Sequence, residues 1–207
     1  VNSAAKVISV LLHPLLMPTY LFTLLAFLFP ASLYPITPAS RVAFLILLFL
    51  MTCLLPAVNI GFLRLFGVVK SVSMNDREER IKPFVLITLL YVVFTAMLHL
   101  KRGLSIGDNL FNLLLIIDVL VVFSLLITFF YKASIHSVGI WGIVGMLLPL
   151  NKVMEDYSIF IATLVALVLA GVVMSARLQL NAHTPREVLV GAVAGFAIGF
   201  FGMLLLF

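Results

Sequence analysis

Charge is what this 207-residue chain has least of: 13 Lys or Arg and 8 Asp or Glu, 21 charged residues in all. A soluble domain is about one quarter charged, so an ordinary soluble globular protein is excluded. Cysteine is also scarce. The single Cys53 lies inside an apolar run, which rules out an intrachain disulfide and leaves the redox compartment unreadable. A stretch of low hydrophobicity and high charge, the mark of a disordered chain, is missing as well. Present instead are 64% hydrophobic residues and a mean hydropathy of +1.28.

Uncharged runs extend over Val7 to Ser40, Val42 to Leu63, Pro83 to Leu100, Ala133 to Asn151, Tyr157 to Ala176 and Val188 to Phe207. Between Asn109 and Tyr131 the only charge is Asp118. A membrane span takes about 20 apolar residues, and in lipid it must be helical, because every backbone N–H and C=O has to be paired within the segment. The chain therefore reads as one all-α integral membrane domain, residues 1–207, a polytopic helix bundle with six or seven spans. They fall at 7–29, 41–66, 84–100, 110–131, 137–150, 158–177 and 186–207. The fifth is short and carries Gly139, Gly142 and Gly145, which predicts close packing inside the bundle. Pro14, Pro18 and Pro56 fall within spans and predict kinks. Lys6 followed by Val7 to Phe29 is long enough to span, so this stretch is expected to be a helix rather than a cleaved leader.

If the helices alternate, three polar clusters far apart in sequence emerge on one membrane face, here named X. The first is Lys70 to Pro83, with seven of the 21 charges between Lys70 and Lys82. Arg77 and Arg80 share a helix face there. The second is Lys132-Ala-Ser134-Ile-His136-Ser137. The third runs from Ser175 to Glu187 and holds Arg177, His183 and Glu187. In that cluster Thr184 is a natural N-cap, Pro185 suits the first helical position, and Glu187 completes a capping box. His183 precedes a helix N-terminus, where free N–H groups favour an anion. Glu187 is one turn away and can hold one imidazole nitrogen, leaving the other as a nucleophile. The net charge of +5 fits loop charges and an anion site rather than a nucleic-acid partner. Cations and hydroxyls arranged for phosphate oxygens, with one histidine as nucleophile and a second as acid, are the parts of a two-step phosphoryl transfer.

On these residues the chain resembles the type-2 phosphatidic acid phosphatases, whose signature is K-x6-R-P, then P-S-G-H, then S-R-x5-H-x3-D. Arg177-x5-His183-x3-Glu187 is similar to the third motif, with Glu for Asp and Ala176 for the Ser before Arg. Ala133-Ser134-Ile135-His136 matches the second at Ser and His. In the first, Lys82-Pro83 stands where the family has Arg-Pro, and Lys70 stands seven residues before Arg77, which Glu78 follows. The likeness covers residues 70 to 207; His13-Pro14 and its surroundings have no counterpart in it. The resemblance implies a membrane enzyme that removes phosphate from a lipid phosphomonoester or diphosphate without metal or other cofactor. His183 would form a phosphohistidine, Glu187 would orient it, and His136 would protonate the leaving oxygen. Arg177, Ser134, Arg77, Arg80 and Lys82 would hold the phosphate. Bacterial relatives place such a site on the outer face of the inner membrane. The expected partner is a lipid phosphate within the membrane; protein partners and the acceptor, water or another molecule, stay open.

Two rival readings remain: a lipid phosphotransferase, and a transporter or lipid-binding protein that keeps an anion site without chemistry. A metal held by His136, His183 and Glu187 is disfavoured, since the neighbouring Arg and Lys would repel a cation. Asp118, in mid-span, is read as a structural carboxyl bonded within the bundle, the alternative being an ion path. His13 is likewise read as structural, with a role in a lipid entry cleft as the alternative, and His99 lies on the opposite face.

Overall fold

A computed structural model describes residues 2–69, 77–103, 108–152 and 157–207. Lys70 to Asp76 and the Arg77 side chain, part of the first polar cluster, lie outside the described residues, as do Glu155 and Asp156. Among the described residues there is no strand, and each apolar run forms a helical segment. Six segments are long and apolar enough to cross a membrane: Asn2–Leu28, Pro38–Leu65, Glu78–Lys101, Asn109–Phe130, Ser158–Gln179 and Pro185–Leu206. The protein is an integral membrane helix bundle. Phe27, Phe130, Val168 and Leu205 stand among many exposed apolar side chains, a surface suited to lipid and not to water.

The first two segments are broken where proline dictates. Helix α1 (Asn2–Leu11) ends before His13; Pro14 opens a short 3₁₀ turn (Pro14–Leu16), and α2 follows (Met17–Leu28) with Pro18 in its first turn. The Tyr20 hydroxyl donates to the Leu11 carbonyl at 2.7 Å. Nine residues of straight helix would hold these positions about 13 Å apart and on opposite faces, so the chain bends at the His13-Pro14 elbow and α1 is not a straight continuation of α2. In the second segment, α3 (Arg41–Phe49) passes through a π-helical turn (Leu50–Leu54) into α4 (Leu55–Leu65). Pro56 lacks the N–H that would reach the Thr52 carbonyl four residues earlier. The buried Tyr91 hydroxyl from α5 (Arg77–Arg102) donates to that carbonyl instead, at 2.8 Å.

The rest of the bundle is α6 (Asn109–Phe130), α7 (Ile135–Leu150), α8 (Ser158–Gln179) and α9 (Pro185–Leu206). Helix α7 has 16 residues, about 24 Å of helix and short of a full bilayer core. Ten of the 16 are buried, so α7 is the centre of the bundle and not a lipid-facing wall. It packs against α9 in parallel, and glycine makes that possible. A Cβ on Gly191, Gly195 or Gly199 would run into the backbone of Ser134, Val138 or Gly142, and one on Gly145 would meet Phe196 and Phe200 of α9. Between helices in lipid the hydrophobic effect gives little, and close backbone approach over small residues takes its place. The parallel alignment puts the N-termini of α7 and α9 side by side, with the end of α8 returning beside them.

Asp118 of α6 is buried and hydrogen-bonded to Thr95 of α5. The His99 ring rests on Phe111. Among the described residues neither has a contact with the polar clusters of face X.

Candidate functional site

The start of α9 follows its local chemistry. The Thr184 hydroxyl accepts the Glu187 N–H at 3.4 Å, and Glu187 Oε2 accepts the Thr184 N–H at 3.1 Å. The same Oε2 lies 3.0 Å from His183 Nδ1. Glu187 thus caps the helix and holds the imidazole together. A carboxylate oxygen can only accept, so Nδ1 carries the hydrogen and Nε2 is left with its lone pair.

Burial holds His183 below its ordinary range, to about 4. The hydrogen bond and charge of Glu187 pull the other way, while the Arg80 and Arg177 cations add to the depression. At neutral pH the ring is uncharged.

The start of α7 is stitched to this turn. The Ser134 N–H donates to the Glu187 carbonyl at 3.0 Å, and the Ser134 hydroxyl caps α7 by accepting the Ser137 N–H at 3.4 Å. The Ser137 hydroxyl donates to the same oxygen at 3.1 Å, and both serines are fully enclosed. Capping is therefore a role of Ser134 that spacing alone does not reveal.

Three cations were expected from α5, and the structure separates them. Arg80 is 93% removed from solvent and interacts electrostatically with Glu187, His183 and Arg177. Lys82 is exposed; two residues along a helix turn the side chain by about 200°, so it cannot face the site that Arg80 faces. Arg77 shares the Arg80 face by phase, but its side chain is outside the described residues. Arg177, near the end of α8, donates from one terminal nitrogen to the Ser9 hydroxyl at a long 3.4 Å, and its buried Nε donates to no described residue. Among the described residues, a buried and a half-buried guanidinium, one carboxylate and a neutral histidine leave this corner net positive, and the Arg177 Nε donates to none of them. Such a corner suits an anion.

His136, on the first turn of α7, sets its Nε2 3.0 Å from the Ser9 carbonyl. The His13 ring meets it edge-on, with centroids 5.2 Å apart and planes at 81°. Ser9 and His13 are the residues that sequence reasoning left out of the site. They lie more than 120 positions before His136, and no spacing links them to it; the one local signal is the helix break at His13-Pro14. Lys132 follows α6 on the same face but makes no contact with these groups among the described residues. No group of three or more His, Cys, Asp or Glu among the described residues is arranged to hold a metal.

An open groove lies in the bundle near this corner, lined by Pro14, Met17, Leu120, Val138, Ile143 and Met146 among others. Its lining is almost wholly apolar and includes Pro14 and Ile135, the chain neighbours of His13 and His136.

No protein-family model matches the chain, and no curated protein or solved structure matches it either.

Proposed function

We propose that the protein is a membrane lipid phosphatase of the type-2 phosphatidic acid phosphatase kind. The observation that carries this reading is the His183 ring, neutral, held at Nδ1 by Glu187 and near two arginines, Arg80 buried and Arg177 half-buried. That is the arrangement an in-line attack on phosphorus needs. His183 Nε2 attacks phosphorus and the bond to the leaving oxygen breaks. That oxygen takes a proton from His136, and water then hydrolyses the phosphohistidine. Arg80 and Arg177 neutralise the charge on the phosphoryl oxygens, helped by the paired N-termini of α7 and α9. The apolar groove beside the site supports a substrate with a long apolar tail. With a bacterial relative's orientation, face X looks outward from the inner membrane.

A second reading is favoured by one contact. His136 Nε2 already faces a backbone carbonyl, as it would in a lipid-binding protein that keeps an anion site without turnover. Transfer of the phosphoryl group to an acceptor other than water uses the same first step.

The deciding experiment is phosphate release by the detergent-purified protein from phosphatidic acid, phosphatidylglycerol phosphate and undecaprenyl diphosphate, with EDTA present. Release that survives EDTA and is lost in His183→Ala supports the enzyme, and the panel ranks its substrates. Binding of these lipids with no release by the folded protein overturns hydrolysis and favours the other two readings.

A further inference from the structure

The α1–α2 elbow reaches the site although nothing in its sequence resembles a motif. One residue of α1, Ser9, touches two of the groups assigned to chemistry. Its carbonyl faces His136 Nε2 at 3.0 Å, and its hydroxyl accepts from Arg177 at 3.4 Å. Ser9 is itself 93% removed from solvent. Four residues on, His13 sets its ring edge-on against His136. His13 is in turn held from its own segment: its Nδ1 accepts the Leu15 N–H at 3.3 Å, capping the 3₁₀ turn. The Tyr20 hydroxyl on the Leu11 carbonyl keeps the elbow folded. Two positions of the elbow thus bear on one imidazole, through a hydrogen bond and through a ring face.

A carbonyl oxygen only accepts, so the His136 nitrogen that faces it carries the hydrogen, and the neutral ring has its lone pair on Nδ1. We propose that Ser9 and His13 are positioning residues that hold the His136 ring in the Nε2–H tautomer, so that it gains and loses its working proton at Nδ1. The proposal rests on the lipid-phosphatase reading for its consequence in turnover, not for its geometry. In the first half-reaction Nδ1 takes the proton that the phosphate monoanion of the substrate carries in, and passes it to the leaving oxygen as the P–N bond to His183 forms and the P–O bond breaks. The ring is then neutral, with Nε2–H still on Ser9. In the second, Nδ1 takes a proton from the attacking water as the P–N bond breaks and passes it to the departing phosphate, and the starting state returns. Without the elbow the ring is free to rotate and to exchange tautomers, and the acid is misplaced without being removed.

Two measurements on the full-length, detergent-purified protein test this. With only four histidines in the chain, ¹⁵N-histidine labelling resolves the ring nitrogens, and His136→Gln assigns the signals. The wild type should show His136 with hydrogen on Nε2, and His13→Asn should show a tautomer mixture. Asn keeps an acceptor for the Leu15 N–H but removes the ring, whereas His13→Phe keeps a ring and removes the acceptor. In phosphate release, His13→Asn should lower kcat tenfold to a hundredfold, the order of loss that a displaced catalytic group brings, roughly. KM should stay within about twofold. His13→Phe should keep most of the turnover. Wild-type kcat in His13→Asn overturns the proposal, as does an Nδ1–H or mixed His136 ring in the wild type. Loss in His13→Phe with retention in His13→Asn also overturns it, since the cap would then be the whole role. An Nε2–H ring in a wild type that releases no phosphate fails the phosphatase reading and leaves the positioning intact.

Discussion

A histidine that attacks phosphorus has to be deprotonated before it reacts, and His183 meets that condition by where it sits. Burial comes first among the causes that lower it to about 4, ahead of the two cations, and the Glu187 contact offsets only part of this. The cost is a dependence of stability on acid. In the unfolded chain the ring titrates near 6.5, in the folded one near 4, so between these values the unfolded state binds more protons and stability rises with pH. The contribution is complete above about 6.5 and is lost as the pH falls from about 6.5 towards 4. Thermal unfolding in detergent should therefore show the wild type losing its midpoint over this window faster than His183→Gln, which has nothing to titrate there. Parallel curves would mean that the ring is not sequestered as described. Turnover should hold its acid limb below pH 6 for the same reason. The third motif was readable in sequence because a capping box and a carboxylate one turn from a histidine are local features. The choice of Arg80 over Lys82 was within reach of helical phase; the reach of Ser9 to His136 and Arg177 was not, because only tertiary packing brings α1 to that corner.

Between elements, the site depends on two parallel helix starts being held in contact. The stripe Gly191, Gly195, Gly199 on α9 does this from beneath, at a spacing of one turn, and its repeat is visible in the sequence although only the glycines of α7 drew notice there. The middle position is the informative one. A methyl group at Gly195 would meet the carbonyl, Cα and carbonyl carbon of Val138, all backbone atoms of a central helix that has nowhere to move. Gly195→Ala should destabilise by about 1–3 kcal/mol, as overpacking does. It should also weaken turnover, because lifting α9 off α7 draws His183 and Glu187 away from Ser134. Gly171 on α8 is the matched control. A Cβ there meets nothing within 4 Å, so Gly171→Ala should leave turnover unchanged and stabilise by about 0.5–1 kcal/mol through helix propensity. Equal effects of the two changes in unfolding and turnover assays would remove the stripe from the account. The breaks in the first and second segments tell a similar story. Pro14, Pro18 and Pro56 announce them in the sequence, but the π turn and the partner that Tyr91 offers to the Thr52 carbonyl depend on which helix lies opposite.

Across the whole molecule, composition was enough for the class, since 21 charges in 207 residues admit only a protein whose surface is lipid. What composition could not express is how a charged head and an apolar tail would share one binding place. The groove bears on this under the lipid-phosphatase proposal: Pro14 and Ile135, next in the chain to the two histidines, line it, and its other walls come from α2, α5, α6 and α7. A headgroup at face X would then leave its tail lying between helices, reached from the bilayer without leaving it. Val121 is half-buried on α6 and lines this groove, away from every group placed in the chemistry. Val121→Trp adds a large ring to the wall, and the ring has an exposed edge on which to settle. For a long-tailed lipid phosphate the change should raise KM about tenfold, the effect of roughly 1.4 kcal/mol of lost tail binding, with kcat nearly kept. For a short-chain, water-soluble phosphate monoester, which needs the polar corner alone, kcat/KM should be unchanged. Loss against both substrates would mean that the substitution disturbs α6 as a whole. No loss against either would mean that the tail lies elsewhere, along the lipid-facing surface of the bundle.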